Sequence, residues 1–249
     1  MKIGVIGGNG VAATNRLCEM VERKITAAGA FRDAHHPEMV VWQATSAPSR
    51  SMFLEGRGPD WRPDYIRIAR QLKSIGCDIG CMCCNTAHYA VGEIESASGI
   101  SFINLLDEVA KRVRASGLGK VEMWVSDGAR KFDIYRRAFE VCAPGVEMVY
   151  PSEERQAEVT KAICAVKTKA RFGNVEADGH PKKIIRRLLR GAAVPVVLGC
   201  TDLRVAYCAG EAMDDGIALD SLECLADAIV SLTGGGGRPS GPQRSTERS

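Results

Sequence analysis

The chain has 249 residues, 45% of them hydrophobic and 25% charged, with a formal net charge of +3. That length suits one large domain or two small ones with a core that needs no staples, and the dispersed basic residues argue against nucleic acid as a partner. No apolar run is long enough to span a bilayer. The N-terminus enters a strand pattern at once, without a signal-peptide layout, so the ten cysteines read as reduced thiols of a cytoplasmic protein.

Taken in order, the chain alternates strand and helix. A strand over 2–7 leads through a Gly-rich turn into a helix over 12–28, and a second strand covers 39–44. A long loop, 46–60, carries Pro48, Arg50, Arg57 and Pro59 and is placed to cover a site. A helix over 61–75, with Pro63 in its first turn, precedes a strand over 78–83, a helix to 96, a strand over 100–104 and a helix over 106–115. The pattern then restarts: strand 121–125, helix 131–141, strand 145–150, helices 153–169 and 181–190, strand 194–198, helix 202–209, strand 217–220 and helix 222–232. Such alternation predicts parallel sheets covered by helices. The tail, 234–249, is almost free of apolar residues and is expected to be disordered.

Two stretches echo one another. Asp78 to Cys83 runs into Cys84-Asn85-Thr86-Ala87-His88, and Val194 to Leu198 runs into Gly199-Cys200-Thr201-Asp202. Each is an apolar strand, then a Cys followed by polar residues, then a helical pattern. Each is also followed, at a similar distance, by an apolar stretch ending in Asp (Phe102 to Asp107, and Ile217 to Asp220) and a helix. A thiol at a strand-to-helix junction faces the positive end of a helix dipole, which favours its thiolate, and ligands of parallel sheets bind beyond the carboxyl ends of the strands. Two such thiols fit a reaction needing a proton acceptor on one side of a carbon and a donor on the other.

Other signals are weaker. Gly8-Asn9-Gly10-Val11-Ala12-Ala13 fits a dinucleotide fingerprint, but the second strand ends Trp42-Gln43-Ala44-Thr45-Ser46 without the acid that a ribose requires; a turn presenting N–H groups to any anion is the simpler reading. Zinc is not expected, because Cys83 and Cys84 fall on opposite faces of a strand and no second paired cluster exists. Cys18, Cys77, Cys81, Cys142, Cys164, Cys208 and Cys224 read as small buried apolar filler. His88, one turn after Cys84, is read equally as a tuner of that thiol and as a satisfied core histidine. Lys167 lies in a basic stretch that alone would be a solvated helix face.

These residues resemble the aspartate/glutamate racemase family. The Cys-Asn-Thr-Ala-His motif stands at Cys84–His88, the Gly-Cys-Thr-acid motif at Gly199–Asp202, and the opening Gly-Gly-x-Gly-x-x-Ala-Thr at Gly7–Thr14. The segment Gln156–Lys167 resembles the family's helix with Gln near its start and Lys near its end, so the likeness spans about 1–232. The resemblance implies a cofactor-independent amino-acid racemase of two pseudo-symmetric α/β domains, each a mainly parallel sheet flanked by helices, with the active site between them and a homodimeric assembly. The domains are expected over 1–105 plus 215–233 and over 106–214. By position, Cys84 and Cys200 would be the catalytic thiols; Asn85, Thr86 and Thr201 would hold the substrate's α-carboxylate or ammonium, Arg50 a side-chain carboxylate, and Lys167 a second carboxylate contact. Asn9, Ser126 and Asp202 complete the expected substrate-binding set, with no metal and no cofactor. An acidic amino acid, aspartate before glutamate, is the favoured substrate.

Three departures border that pocket. The family's Gly turn commonly reads Gly-Gly-Met-Gly-Pro, where this chain has Asn9 and Val11; its Ala-Thr-x-Gly-Thr becomes Val125-Ser126-Asp127-Gly128-Ala129; and Asp202 replaces a Glu. Two alternatives stay open: a related isomerase, such as one acting on maleate, in which one Cys adds to a double bond, and an amino-acid-binding protein without catalysis. Arg57 and Arg62 compete with Arg50 for the carboxylate role.

Overall fold

The structure, a computed structural model, describes residues 1–208 and 210–233; the expected disordered tail lies outside the described residues. In the first half β1 (Lys2–Gly7) leads to α1 (Val11–Ala27), β2 (Glu38–Gln43), α2 (Arg50–Leu54), α3 (Arg62–Ser74), β3 (Ile79–Met82), α4 (Val91–Ser98), β4 (Phe102–Ile103) and α5 (Leu105–Ala115). The second half follows with β5 (Lys120–Trp124), α6 (Asp127–Lys131), α7 (Arg136–Cys142), β6 (Glu147–Val149), α8 (Glu153–Val166), α9 (Pro181–Leu189), β7 (Val196–Leu198), α10 (Thr201–Arg204), β8 (Ile217–Asp220) and α11 (Ser221–Leu232).

Each half carries a four-stranded sheet, ordered β2-β1-β3-β4 and β6-β5-β7-β8, and every neighbouring pair is parallel. The two orders are the same when each half is counted from its own first strand, so the faint sequence echo reflects a repeated topology. Covalent crossovers explain the parallel pairing: a helix returns the chain to the same end of the sheet after each strand. Side chains alternate across β1 and β3. Ile3, Val5, Cys81 and Cys83 enter one apolar core, while Ile6 and Met82 enter the other, with Cys84 against that second cluster. Cys83 and Cys84 thus lie on opposite faces, as the period of two requires.

The expected domain boundaries need one correction. The expected first domain includes residues 217–220, but Val196 pairs with Ile217 and Val197 with Leu219, which places β8 in the second sheet. The helices around it do cross over. α11, which follows the second sheet, packs on α1 of the first half, and α5, which follows the first sheet, packs on α7 of the second. Asn104 caps α5 through the N–H of Leu106, and Asp220 caps α11 through the N–H of Glu223, so the crossing helices start from equivalent polar caps.

Three expected elements differ in detail. The 131–141 helix is two short ones, α6 and α7, broken at Asp133, whose φ of 44° is left-handed; the Tyr150 hydroxyl donates to its carboxylate at 2.7 Å. The long 46–60 loop contains α2, capped by Ser49. The helix after Cys84 opens as a 3-10 stretch, Asn85–Ala90, before α4 begins. Of the cysteines expected as buried filler, Cys77, Cys81 and Cys224 are buried, Cys18 and Cys142 are half-buried, and Cys164 and Cys208 are exposed. No helix among the described residues is long and apolar enough to cross a membrane.

Candidate active site

β3 and β7 are equivalent central strands, and each ends at a cysteine. Cys84 leads the 3-10 turn Asn85–Ala90, Cys200 leads α10, and both are half-buried. The two junctions face each other. The Thr201 hydroxyl donates to the main-chain carbonyl of Cys83 at 3.3 Å, and the Cys84 sulfur is near enough to act on the charge of Cys200.

A second crossing bond joins Thr86 and Ser126, whose hydroxyls are 2.9 Å apart. Ser126 also caps α6 by accepting from the N–H of Ala129 at 3.4 Å. Asn85 is held from two sides: its Nδ2 donates to Ser221 Oγ at 2.9 Å, and the Tyr135 hydroxyl donates to its Oδ1. One Nδ2 hydrogen of Asn85 is left over, and the first N–H groups of the turn have no partner within it. Together they form a set of donors beside Cys84 that suits a carboxylate.

The three arginines of the 46–62 segment differ in their surroundings. Arg57 pairs with Glu55, and Arg62 with Asp60 and Glu93. Arg50 alone of the three is buried, with Nη1 donating to the Pro48 carbonyl at 2.8 Å and Nε unpartnered. Burial opposes its charge, yet the nearby Cys84, with Tyr65 and Asp202, outweighs that and holds the guanidinium above its ordinary value. A positive charge there stands where a thiolate would carry its negative one.

Around Cys200 the dipole expectation fails. α10 is four residues long, too short for much of a macrodipole. Burial, and then the Asp202 carboxylate, push the Cys200 thiol well above its ordinary value against the pull of Lys167. Cys200 therefore rests as a thiol. Asp202 is itself buried, which raises its carboxyl despite Lys167 and Arg50. Its Oδ2 meets Lys167 Nζ at 3.0 Å, so Lys167, at the C-cap of α8, is an ion-pair partner rather than a plain solvated charge.

A cavity of about 750 Å³ opens beside these groups, with Asn9, Gly10, Arg50, Lys167, Lys169, Arg171 and Asp202 in its wall. Neither sulfur lines it; Arg50 and Asp202 connect it to Cys84 and Cys200. A larger hollow, about 1000 Å³ between β4, α5 and α11, contains none of the expected site residues. Asn9 is buried with both side-chain polar atoms unpaired.

His88 does not face a thiol. Its ring lies between the carbonyls of Cys84, 3.0 Å from Nδ1, and Ile103, 3.3 Å from Nε2. Burial lowers its basicity, so it is a core histidine that braces the turn. Asp127 is likewise engaged, accepting from Gln156 and Thr160 at 2.9 Å each. Sequence reading missed Tyr135, which resembles any apolar helix residue, and Ser221. Ser221 stands at the carboxyl end of β8, and the rule for parallel sheets would have found it.

A family model described as Asp/Glu/hydantoin racemase matches residues 3–229. The chain belongs to that family. This racemase-family chain is therefore an isomerase by class. It is 23% identical over 233 residues to the broad specificity amino-acid racemase of Bacillus subtilis (strain 168), covering 92% of this chain and 96% of that one. Its fold is similar to Picrophilus torridus aspartate racemase, with a TM-score of 0.75, 24% identity and 94% of each chain covered. It is also similar to an aspartate racemase homologue from Pyrococcus horikoshii OT3, with a TM-score of 0.68, 22% identity, and 94% and 99% covered. Among the described residues no three His, Cys, Asp or Glu side chains come together as a metal site.

Proposed function

We propose that this chain is an amino-acid racemase that uses no pyridoxal cofactor, passes the α-proton between Cys84 and Cys200, and favours acidic substrates, aspartate over glutamate. The observation that supports the reading is the bond from Thr201 to the Cys83 carbonyl, which ties together the carboxyl ends of the two strands that lead into Cys84 and Cys200.

The α-proton of an amino acid is a very weak acid, so several effects must combine. Cys84, as thiolate beside Arg50, takes the proton from one face. Cys200, a thiol at rest, delivers one from the other, and the reverse direction exchanges the roles. The N–H groups opening the Asn85–Ala90 turn, with the hydroxyls of Thr86 and Ser126, meet the carboxylate where negative charge grows in the transition state. The interlocked halves exclude water from that charge. Four basic side chains in the cavity wall, Arg50, Lys167, Lys169 and Arg171, favour a substrate with a second carboxylate. The named relatives support an amino-acid substrate and span both aspartate and a broad range. Assembly as a homodimer belongs to the same proposal and is read by light scattering.

The test is a screen of the common amino acids in deuterium oxide. Deuterium should enter at Cα of aspartate and glutamate first. Binding without exchange would favour the non-catalytic alternative, and a covalent cysteine adduct with maleate would favour the double-bond isomerase.

A further inference from the structure

We infer that the Tyr65 hydroxyl donates to the Cys84 sulfur when that sulfur becomes a thiolate, which makes Tyr65 a positioning residue for the proton-taking step. This rests on the racemase reading above and adds to it a residue that acts through Cys84.

Topology puts Tyr65 beside Cys84. α3 runs back over the first sheet against the direction of its strands. Beyond its C-terminal end the chain reaches Asp78, whose N–H donates to the carbonyl of Lys2 at the start of β1. Leu72 lies over Gly4, where an added Cβ would meet Leu72 Cδ1 at 2.9 Å. Tyr65 is on the same buried face of α3, about two turns nearer the helix start, which carries it about 10 Å towards the carboxyl ends of the strands. About three strand residues span that distance, so Tyr65 comes level with Gly7. Cys83 stands at that level too, with its N–H donating to the Ile6 carbonyl at 3.0 Å. The side of the sheet also matches. Met82 and Tyr65 share one core, and Cys84, two residues on from Met82, packs against it.

At rest the hydroxyl has nothing to bond. Tyr65 is fully buried, its ring stands edge-on to Trp61 with centroids 4.8 Å apart, and its oxygen has no partner. Leaving such a group unpaired costs about 1–3 kcal/mol, a cost that phenylalanine would avoid in the same space. The charges that reach the phenol are those of Arg50, Cys84 and Cys83. A guanidinium accepts no hydrogen bond, and Cys83 faces the other core. The remaining acceptor is the Cys84 sulfur, weak as a thiol and strong as a thiolate. Tyr65 keeps its own proton throughout, because burial pushes its ionisation far up. A donor that bonds only the charged form favours that form. Arg50 thus supplies charge to the Cys84 thiolate and Tyr65 supplies a hydrogen bond, while the proton that sulfur takes from Cα stays on sulfur.

The test reads the thiol directly. Alkylation of Cys84 by iodoacetamide is followed against pH by peptide mass spectrometry, in the whole chain and in Tyr65→Phe. The titratable groups that face Cys84, besides its neighbour Cys83, are Arg50 from α2, Tyr65 from α3, Tyr135 before α7, Lys167 after α8 and Cys200 before α10. The substitution alters Tyr65 alone. The alkylation midpoint should move up by about one pH unit, and the acid limb of kcat/KM for Cα exchange should move with it. Tyr65→Leu, which removes the ring as well, should shift the midpoint equally. An unmoved midpoint in Tyr65→Phe, with or without a shift in Tyr65→Leu, overturns this inference and leaves the racemase reading standing. A shifted midpoint without Cα exchange of any amino acid overturns the racemase reading, while the contact itself stands. The wild-type chain gives an answer without any variant: the Cζ signal of carbon-13-labelled Tyr65 should move with the Cys84 alkylation midpoint, and a signal that stays fixed across it overturns the inference.

Discussion

Thr201 gives its hydroxyl hydrogen to the carbonyl of Cys83 across 118 residues of chain. The donor follows Cys200 and the acceptor precedes Cys84, so a single bond sets the spacing of the two strand ends that carry the thiols. Shifting one sheet along the other would break this bond and separate the sulfurs together.

If both sulfurs handle the α-proton, neither can be replaced by a hydroxyl, whose proton is far too tightly held near neutral pH. Cys84→Ser and Cys200→Ser should each lose racemisation by about 10²–10⁴-fold, with unchanged folding by circular dichroism. Near-normal turnover in either variant would refute the two-thiol mechanism.

Because burial and Asp202 push the Cys200 thiol above its ordinary value of 9.0, Cys200 stays protonated as pH rises through 9. In the direction where Cys200 donates, exchange should show no alkaline fall centred there; a fall near 9 in that direction would contradict the assignment. The same shift has a stability consequence. A group whose folded pKa is raised contributes most below its unfolded pKa, and that contribution is lost as pH climbs from the unfolded towards the folded value. Cys81 and Cys83, also raised by burial, act in the same sense. Melting temperature should therefore drop above pH 9 more steeply than in a variant with Cys81→Ala.

The loop carrying Arg50 is pinned to the second half through Gly128, whose N–H donates to Ser51 Oγ at 2.9 Å. A Cβ on Gly128 would sit 2.8 Å from the Ser51 Cα and carbonyl oxygen, which are backbone atoms. Gly128→Ala should cost about 1–3 kcal/mol and raise KM by displacing Arg50. Gly92→Ala, where a Cβ meets nothing within 4 Å, is the control and should be neutral or slightly stabilising in a chemical denaturation series.

Tyr135→Phe removes only the hydroxyl that Asn85 Oδ1 accepts. The stranded acceptor should cost about 1–3 kcal/mol in denaturant. The freed amide should also weaken carboxylate binding, seen as a rise in KM larger than the fall in kcat. Unaltered KM would make Tyr135 a matter of packing alone.

Much of the architecture was legible because it is written locally. Alternating strand and helix periods, Pro63 at a helix start and the two Cys junctions all depend on residues a few positions apart. The same locality explains the errors at 131–141, where the backbone turn at Asp133 is supported by the distant Tyr150, and at the strand 217–220, whose sheet no local pattern specifies.

The sequence by itself determined the parallel α/β class, the repeated strand–Cys–helix unit and the residues that line its two junctions. Only the tertiary structure decided that β8 pairs with β7, that Arg50 rather than Arg57 or Arg62 is buried, that Tyr135 and Ser221 hold Asn85, and that Asp202 is buried against Lys167. The reason is range. Propensity and periodicity act over one or two turns, whereas a buried polar group takes whichever partner the packed chain delivers, here 136 residues away for Asn85 and Ser221.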